Sequence, residues 1–138
     1  MNQENKLSHY INAAKSLDIN KYEKKLQIAI LGSFTLNGLA EVIQVKCSDI
    51  KVGCTTYVSN YNQYNQDILN DSSDLYKFSP NITFLILDTQ SILGSLYYFP
   101  YSIDITQRKK YVEEKLNDLK NLINTFVKRS NSKLIISN

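Results

Sequence analysis

The sequence predicts an α/β fold, namely a three-layer α/β/α sandwich with a mainly parallel sheet of about four strands. Short apolar runs bounded by glycine or proline are typical of buried strands, and apolar residues spaced three and four apart are typical of amphipathic helices. Because the two patterns alternate along the chain, the strands are expected to pair in parallel through right-handed crossovers. With 138 residues, 43% of them hydrophobic, residues 1–138 are predicted to form a single domain.

The first half of the chain alternates the two patterns clearly. The apolar run before Gly32 and the β-branched and aromatic run after Gly53 are typical of strands. The polar segment 60–65 is expected to begin a helix. In order, the predicted elements are a helix over 6–18, a strand over 26–31, a helix from residue 37 to about 49, a strand over 54–58, a helix ending near residue 70 and a helical turn over 71–78.

The second half is predicted to contain one long helix between two strands. The run at 82–87 is so apolar that both of its faces should be covered. Residues 88–103 are predicted to form a loop, and Thr106 is expected to cap a helix from about Gln107 to Lys128. The run 134–136 predicts a fourth strand. The apolar face expected for the long helix consists of Tyr111, Val112, Leu116, Leu119, Leu122, Ile123 and Phe126.

Composition excludes several classes of function. The formal charge of +3 is mild, and the basic residues lie among acidic ones without an aromatic-rich basic stretch, so nucleic acid is not an expected partner. No apolar run approaches the roughly 20 residues of a membrane span, and no signal peptide is visible, which predicts a cytoplasmic domain without membrane contact. Cys47 and Cys54 lie seven residues apart and, with the single histidine His9, do not make a zinc site, so free thiols and no metal or cofactor are expected.

The candidate site lies where the strands end. In an open parallel sheet, ligands bind outside the carboxyl ends of the strands, which selects the segments that follow the first three predicted strands. The polar residues of these segments are expected either to hydrogen-bond a polar ligand or to hold the loops in place. The candidate residues are Ser33, Thr35, Asn37, Asn62, Gln63, Asp88 and Gln90.

Ser33 and Asp88 each allow two interpretations. Ser33 lies on a strand-to-helix turn, where backbone N–H groups can stabilise an oxyanion, so it is the candidate nucleophile. Such a serine needs a base, and His9 precedes the first strand, so Ser33 can equally be a turn or cap residue. Asp88 can orient a ligand or partner side chain, or cap its own loop as an Asx-type turn.

Three stretches in order carry a family resemblance. They are Ile28–Leu39, Tyr61–Leu69 and Ser73–Ile82. Together they resemble the N-terminal domain of FkbH-like proteins, in which an SGNH-hydrolase-like domain precedes a HAD-superfamily phosphatase-like domain. The resemblance implies a flavodoxin-like SGNH architecture and a setting in polyketide or surface-polysaccharide biosynthesis.

The resemblance also implies partners and a division of labour. Family members that load glyceryl units move them from a phosphorylated three-carbon donor to an acyl carrier protein, and that chemistry is associated with the HAD half. These 138 residues contain no such half. We therefore expect an N-terminal fragment or shortened form of a larger FkbH-like protein, with a HAD phosphatase-like domain and an acyl carrier protein as partners.

Some sequence blocks of SGNH hydrolases have a counterpart in this chain and others do not. The Gly-Asp-Ser-x-Thr block is similar to Leu31–Thr35, which places Ser33 at the nucleophile. The oxyanion glycine of the second block falls near Asn60. The Gly-x-Asn-Asp block falls on Asp88–Ser91, where Gln90 replaces the asparagine and the glycine is lost. The final Asp-x-x-His block is absent.

Two function classes follow from this pattern. The first is an incomplete SGNH-like domain that binds a substrate or a carrier or partner protein for glyceryl or acyl transfer and does not catalyse alone. The alternative is a self-standing SGNH-type esterase or acyltransferase, with Ser33 activated by His9 or by another chain. A receiver-type domain is disfavoured because no acidic pair ends the first strand.

Overall fold

The computed structural model describes residues 6–137, which form seven α-helices and four strands. Two 3-10 turns, Ile19–Lys21 and Pro100–Ser102, complete the regular structure of this range. In chain order the helices and strands are α1 (Leu7–Lys15), β1 (Lys24–Gly32), α2 (Leu39–Asp49), β2 (Val52–Val58), α3 (Tyr64–Leu69), α4 (Asp74–Phe78), β3 (Ile82–Ile86), α5 (Thr89–Leu93), α6 (Ser95–Tyr98), α7 (Ile105–Arg129) and β4 (Lys133–Ser137).

The four strands form one sheet in the order β2-β1-β3-β4, and every pair is parallel. Alternate residues of β1 face opposite layers, as the two-residue period of a strand requires. Ile28 and Ile30 pack on the α2 side of the sheet, and Ala29 and Leu31 pack on the side of α3, α4 and α7. The predicted three-layer α/β/α class is therefore confirmed.

The larger of the two cores lies between the sheet and α7. Phe126 has no exposed surface, and its ring lies 6.4 Å from that of Tyr76 in a stacked arrangement. This layer holds α3 and α7 beside each other over the sheet. The buried members of the cluster are Ala29, Leu31, Ile68, Leu75, Leu85, Leu87, Leu122 and Phe126.

The prediction of a loop over 88–103 was wrong. The segment contains α5, α6 and a 3-10 turn. The carboxylate of Asp88 accepts hydrogen bonds from the backbone N–H groups of Gln90 and Ser91, which begins α5, while Gly94 (φ +55°) ends it. One capping side chain and one glycine thus produce a short helix that apolar periodicity over five residues does not reveal.

The long helix also begins and packs differently from its prediction. Its cap is Asp104, which accepts hydrogen bonds from the N–H groups of Thr106 and Gln107, so the expected cap Thr106 lies inside the first turn. Leu122 and Phe126 are buried as predicted, but Val112 and Leu116 are 38% and 50% exposed. The fully buried residues of α7 therefore lie in its C-terminal half, whereas the half-buried Tyr111 donates its hydroxyl to the Leu93 carbonyl (3.3 Å) nearer the start of the helix.

Both cysteines are free thiols, in α2 and β2. Cys54 belongs to the smaller core on the α2 side of the sheet. Burial, with the neighbouring Cys47 thiol as a secondary cause, raises the pKa of the Cys54 thiol to about 12. Cys54 is therefore protonated at neutral pH and contributes to packing as a small apolar side chain.

Candidate functional site

The loops that follow β1, β2 and β3 leave the sheet at the same edge, because all three strands are parallel. Backbone hydrogen bonds fix two of these loops to the neighbouring strand. The N–H of Ser33 donates to the carbonyl of Ile86 (3.2 Å), and the N–H of Ser59 donates to the carbonyl of Ile30 (2.9 Å). The first residues after β1 and β2 are thus held as extensions of the sheet.

Ser33 is inside the protein. It has no exposed surface, and its Oγ accepts a hydrogen bond of 2.9 Å from the backbone N–H of Asp88. The hydroxyl oxygen of Ser91 also lies 3.5 Å from the Ser33 carbonyl oxygen. In this arrangement Ser33 joins the loop after β1 to the loop after β3.

Asp88 uses both carboxylate oxygens within its own turn. Oδ1 accepts from the N–H of Gln90 (3.0 Å), and Oδ2 accepts from the N–H of Ser91 (3.1 Å) and from its hydroxyl (2.5 Å). The Ser91 hydroxyl, followed by the two backbone N–H groups, holds the pKa of the Asp88 carboxyl below its usual value. Asp88 is therefore ionised at neutral pH and caps α5, as in the Asx-turn interpretation.

The other candidate residues surround this buried pair without joining it. Thr35, Asn37, Gln63 and Gln90 are exposed. The side chain of Gln63 accepts a hydrogen bond of 3.3 Å from the Asn60 amide, and Gln90 contacts Asp88 through its backbone N–H. Asn62 is exposed and has a left-handed backbone, with φ +53°. The structure thus brings together Ser33 and Asp88 by direct contact and adds Ser91, which the sequence did not single out.

His9, the base considered for Ser33, lies on α1. This helix packs against α2, on the opposite side of the sheet from α7. The His9 side chain is exposed, and its ring meets Tyr10 edge-on with the centroids 5.6 Å apart. Within residues 6–137, no hydrogen bond links His9 to Ser33 or Asp88.

A cavity of about 520 Å³ opens beside this network, between α3, α5 and α7, and we call it the α3–α7 groove. Ser91 connects the two features, because it lines the groove and also bonds Asp88. The full lining is Asn62, Tyr64, Asn65, Leu69, Ser91, Ile92, Lys115, Asp118, Leu119, Asn121, Leu122 and Thr125.

Two side-chain contacts hold the walls of the groove. The guanidinium of Arg129, at the end of α7, donates to the carbonyls of Ile68 (3.2 Å) and Leu69 (2.7 Å) at the end of α3. The hydroxyl of Tyr57 in β2 donates to the carboxylate of Asp67 in α3 (3.0 Å). The short helix α3 is therefore anchored both to the sheet and to α7, which makes the groove a preformed feature.

The polar α7 residues of the groove were missed by sequence reasoning. Lys115, Asp118, Asn121 and Thr125 recur at three- and four-residue spacing, so they form one stripe beside the apolar stripe of Leu119 and Leu122. That spacing was available in the sequence. What faces the stripe depends on where α3 lies, and the sequence does not give this position.

Metal-binding clusters and membrane-spanning helices are both absent from the described part of the chain. Among residues 6–137, no three His, Cys, Asp or Glu side chains form a group that could hold a metal ion. In the same range no helix combines the length and apolar character that crossing a membrane requires.

Comparison with known proteins identifies the family. The family model described as "FkbH, N-terminal domain" matches residues 27–138, which is most of the chain. The chain belongs to the FkbH N-terminal domain family. The FkbH part of the sequence resemblance is thereby confirmed, whereas the SGNH assignment stays a prediction.

One solved structure is similar in fold to this FkbH-family chain. It is described as the N-terminal part of the protein BF1531 from Bacteroides fragilis, containing a phosphatase domain and complexed with Mg. The two share 20% identity with a TM-score of 0.74, over 96% of this chain and 32% of that one. This chain therefore spans about a third of that structure's length and shares the fold of the matched part. None of the curated proteins compared with the chain matches it.

Proposed function

We propose that this chain is a binding domain of an FkbH-like protein of polyketide or surface-polysaccharide biosynthesis and does not catalyse alone. In this role the SGNH-like fold holds a substrate group or a carrier or partner protein for glyceryl or acyl transfer. The partners we propose are a HAD phosphatase-like domain and an acyl carrier protein. Family membership supports this setting, as does the phosphatase domain named for the similar Bacteroides fragilis protein.

The observation that carries the proposal is the state of Ser33. A nucleophilic serine needs an exposed hydroxyl within hydrogen-bond reach of a base. Here the residue has no exposed surface, its Oγ accepts from a backbone N–H, and the nearby carboxylate of Asp88 is engaged in capping α5. These contacts favour binding by the surrounding loops over catalysis by Ser33.

We expect the chain to hydrolyse 4-nitrophenyl acetate no faster than a Ser33→Ala variant, because the Ser33 hydroxyl is shielded. Release of 4-nitrophenol at pH 7.5 measures this directly. Ser95→Ala, which alters an exposed serine in α6, is the matched control. If Ser33→Ala abolishes hydrolysis and Ser95→Ala does not, the chain is instead a self-standing esterase. Loss of hydrolysis in His9→Ala as well would identify His9 as the base.

An exposed aromatic segment is the partner surface that we propose. Its four rings, together called the aromatic surface, are 50–86% exposed, and the guanidinium of Arg108 lies 5.1 Å from the ring centroid of Tyr101. Exposed tyrosine and phenylalanine beside arginine is the composition enriched in protein interfaces. Lys109 and Lys110 follow on α7 and add positive charge. The members of the aromatic surface are Tyr97, Tyr98, Phe99 and Tyr101.

Truncating this surface is expected to weaken the binding of a phosphopantetheinylated acyl carrier protein. Phe99→Ala and Tyr101→Ala should each raise the Kd about tenfold, which corresponds to about 1.4 kcal/mol of lost interface contact. Isothermal titration calorimetry of both variants measures the change. Tyr61→Ala is the matched control, because Tyr61 is 68% exposed outside the aromatic surface. Equal Kd values for all three variants would contradict this assignment.

A further inference from the structure

The α3–α7 groove has the form of a small-molecule site. Its cavity of about 520 Å³ lies within the range of known ligand pockets. Leu119 and Leu122 of α7, with Ile92 of α5, give it an apolar floor. A ligand lying on this floor would bury an uncharged, hydrocarbon-rich face.

Three of the polar side chains that line the groove are carboxamides. Asn62 and Asn65 stand on the α3 side, and Asn121 stands on α7. Among the hydrogen bonds of residues 6–137, none uses the side chain of Asn62 or Asn121. A carboxamide both donates and accepts, as a hydroxyl group does, so three of them on facing walls match a ligand that carries several hydroxyls.

The charges that line the groove cancel. Of the described lining residues, Lys115 and Asp118 are the ones that carry a charge at neutral pH, one of each sign, three residues apart on α7. The ammonium group of Lys115 lies 5.3 Å from the ring centroid of Tyr111, and no ion pair of either residue occurs in the described part of the chain. A phosphate or carboxylate would meet one positive and one negative charge, so this lining favours an uncharged ligand.

We propose that the α3–α7 groove binds an uncharged polyhydroxylated ligand of the size of a sugar ring. The C–H face of the ring would lie on the leucine floor. Its hydroxyl groups would exchange hydrogen bonds with the carboxamides and with Ser91, whose hydroxyl donates to Asp88 and can still accept. This inference rests on the binding role proposed above and names a ligand class for it.

The test uses the full chain, labelled with ¹⁵N, and D-glucose and maltose as probes. Two-dimensional NMR should show saturable shifts of the side-chain amides of Asn65 and Asn121. Asn121→Leu and Asn65→Leu, on opposite walls, should each weaken binding at least tenfold. Asn124→Leu, an exposed α7 position outside the groove, should leave it unchanged.

Glucose 6-phosphate and glucosamine serve as charged counterparts of the same ring. Stronger binding of either one, shifts that map outside the groove, or no saturable shift at 50 mM of any probe would overturn the inference. Titrating the carrier protein into the same samples separates the two proposals. Retained carrier binding without sugar binding would refute the ligand class alone, whereas serine-dependent ester hydrolysis would refute the non-catalytic role.

Discussion

Replacing Phe126 with alanine is expected to lower the free energy of unfolding by about 3 to 5 kcal/mol. The ring has no exposed surface and stacks on Tyr76 at 6.4 Å, within the core that joins α7 to the sheet. Alanine would leave a cavity that the neighbouring side chains cannot fill, since they already pack against both the sheet and the helices. Because a domain of this size is stable by only about 5 to 15 kcal/mol, the variant should be close to unfolding at 37 °C.

Urea denaturation followed by circular dichroism checks this expectation. The matched control is Val127→Ala, one residue further along α7, where the side chain is 60% exposed. Its free energy of unfolding should lie within about 0.5 kcal/mol of that of the unaltered chain. Similar losses in the two variants would show that α7 does not pack on the sheet through Phe126.

The sheet could be predicted from sequence because its signal is strong and local. The run from Leu26 to Leu31 is apolar at nearly every position, which is typical of a buried strand. In the structure Ile28, Ala29, Ile30 and Leu31 are all buried, and β1 lies between β2 and β3. Burial on two faces disfavours polar residues, so the apolar composition of the run locates the strand.

The first residues of the helices were harder to predict, because several neighbouring residues can cap the same helix. Asp104 and Thr106 are both good caps and lie two positions apart. The structure selects Asp104, whose carboxylate accepts from two backbone N–H groups at 2.8 and 2.9 Å. The same chemistry at Asp88 creates α5 in a segment without apolar periodicity. Such choices depend on small energy differences that a pattern of residue types does not resolve.

The candidate site was only partly predictable, for a reason of the same kind. The predicted ends of the strands identify the loops that carry the candidate residues. Ser33 and Asp88, which lie in two of these loops, are in contact in the structure. The burial of Ser33 depends on how closely the loop after β3 folds over it. The groove depends on the placement of α3 against α7, which Arg129 fixes over 60 residues of sequence separation. Contacts between residues so far apart in the sequence do not change the spacing of residue types within a segment, so a sequence pattern does not reveal them.

Ser33→Ala is expected to lower the free energy of unfolding by about 1 to 2 kcal/mol. The hydroxyl oxygen accepts the N–H of Asp88 at 2.9 Å in a partly buried position, and alanine would leave that donor without its partner. Thermal unfolding by calorimetry measures the loss. Ser95→Ala, an exposed serine, should change the stability by no more than about 0.5 kcal/mol.

This measurement distinguishes the two interpretations of Ser33 when it is read beside ester hydrolysis. A residue that joins two loops lowers stability when it is removed and leaves hydrolysis at the background rate. A nucleophile gives the opposite result, because catalytic residues are commonly replaced with little loss of stability and a large loss of rate. Unchanged stability of Ser33→Ala would contradict the hydrogen bond to Asp88, and with it the structural role on which the proposed binding function depends.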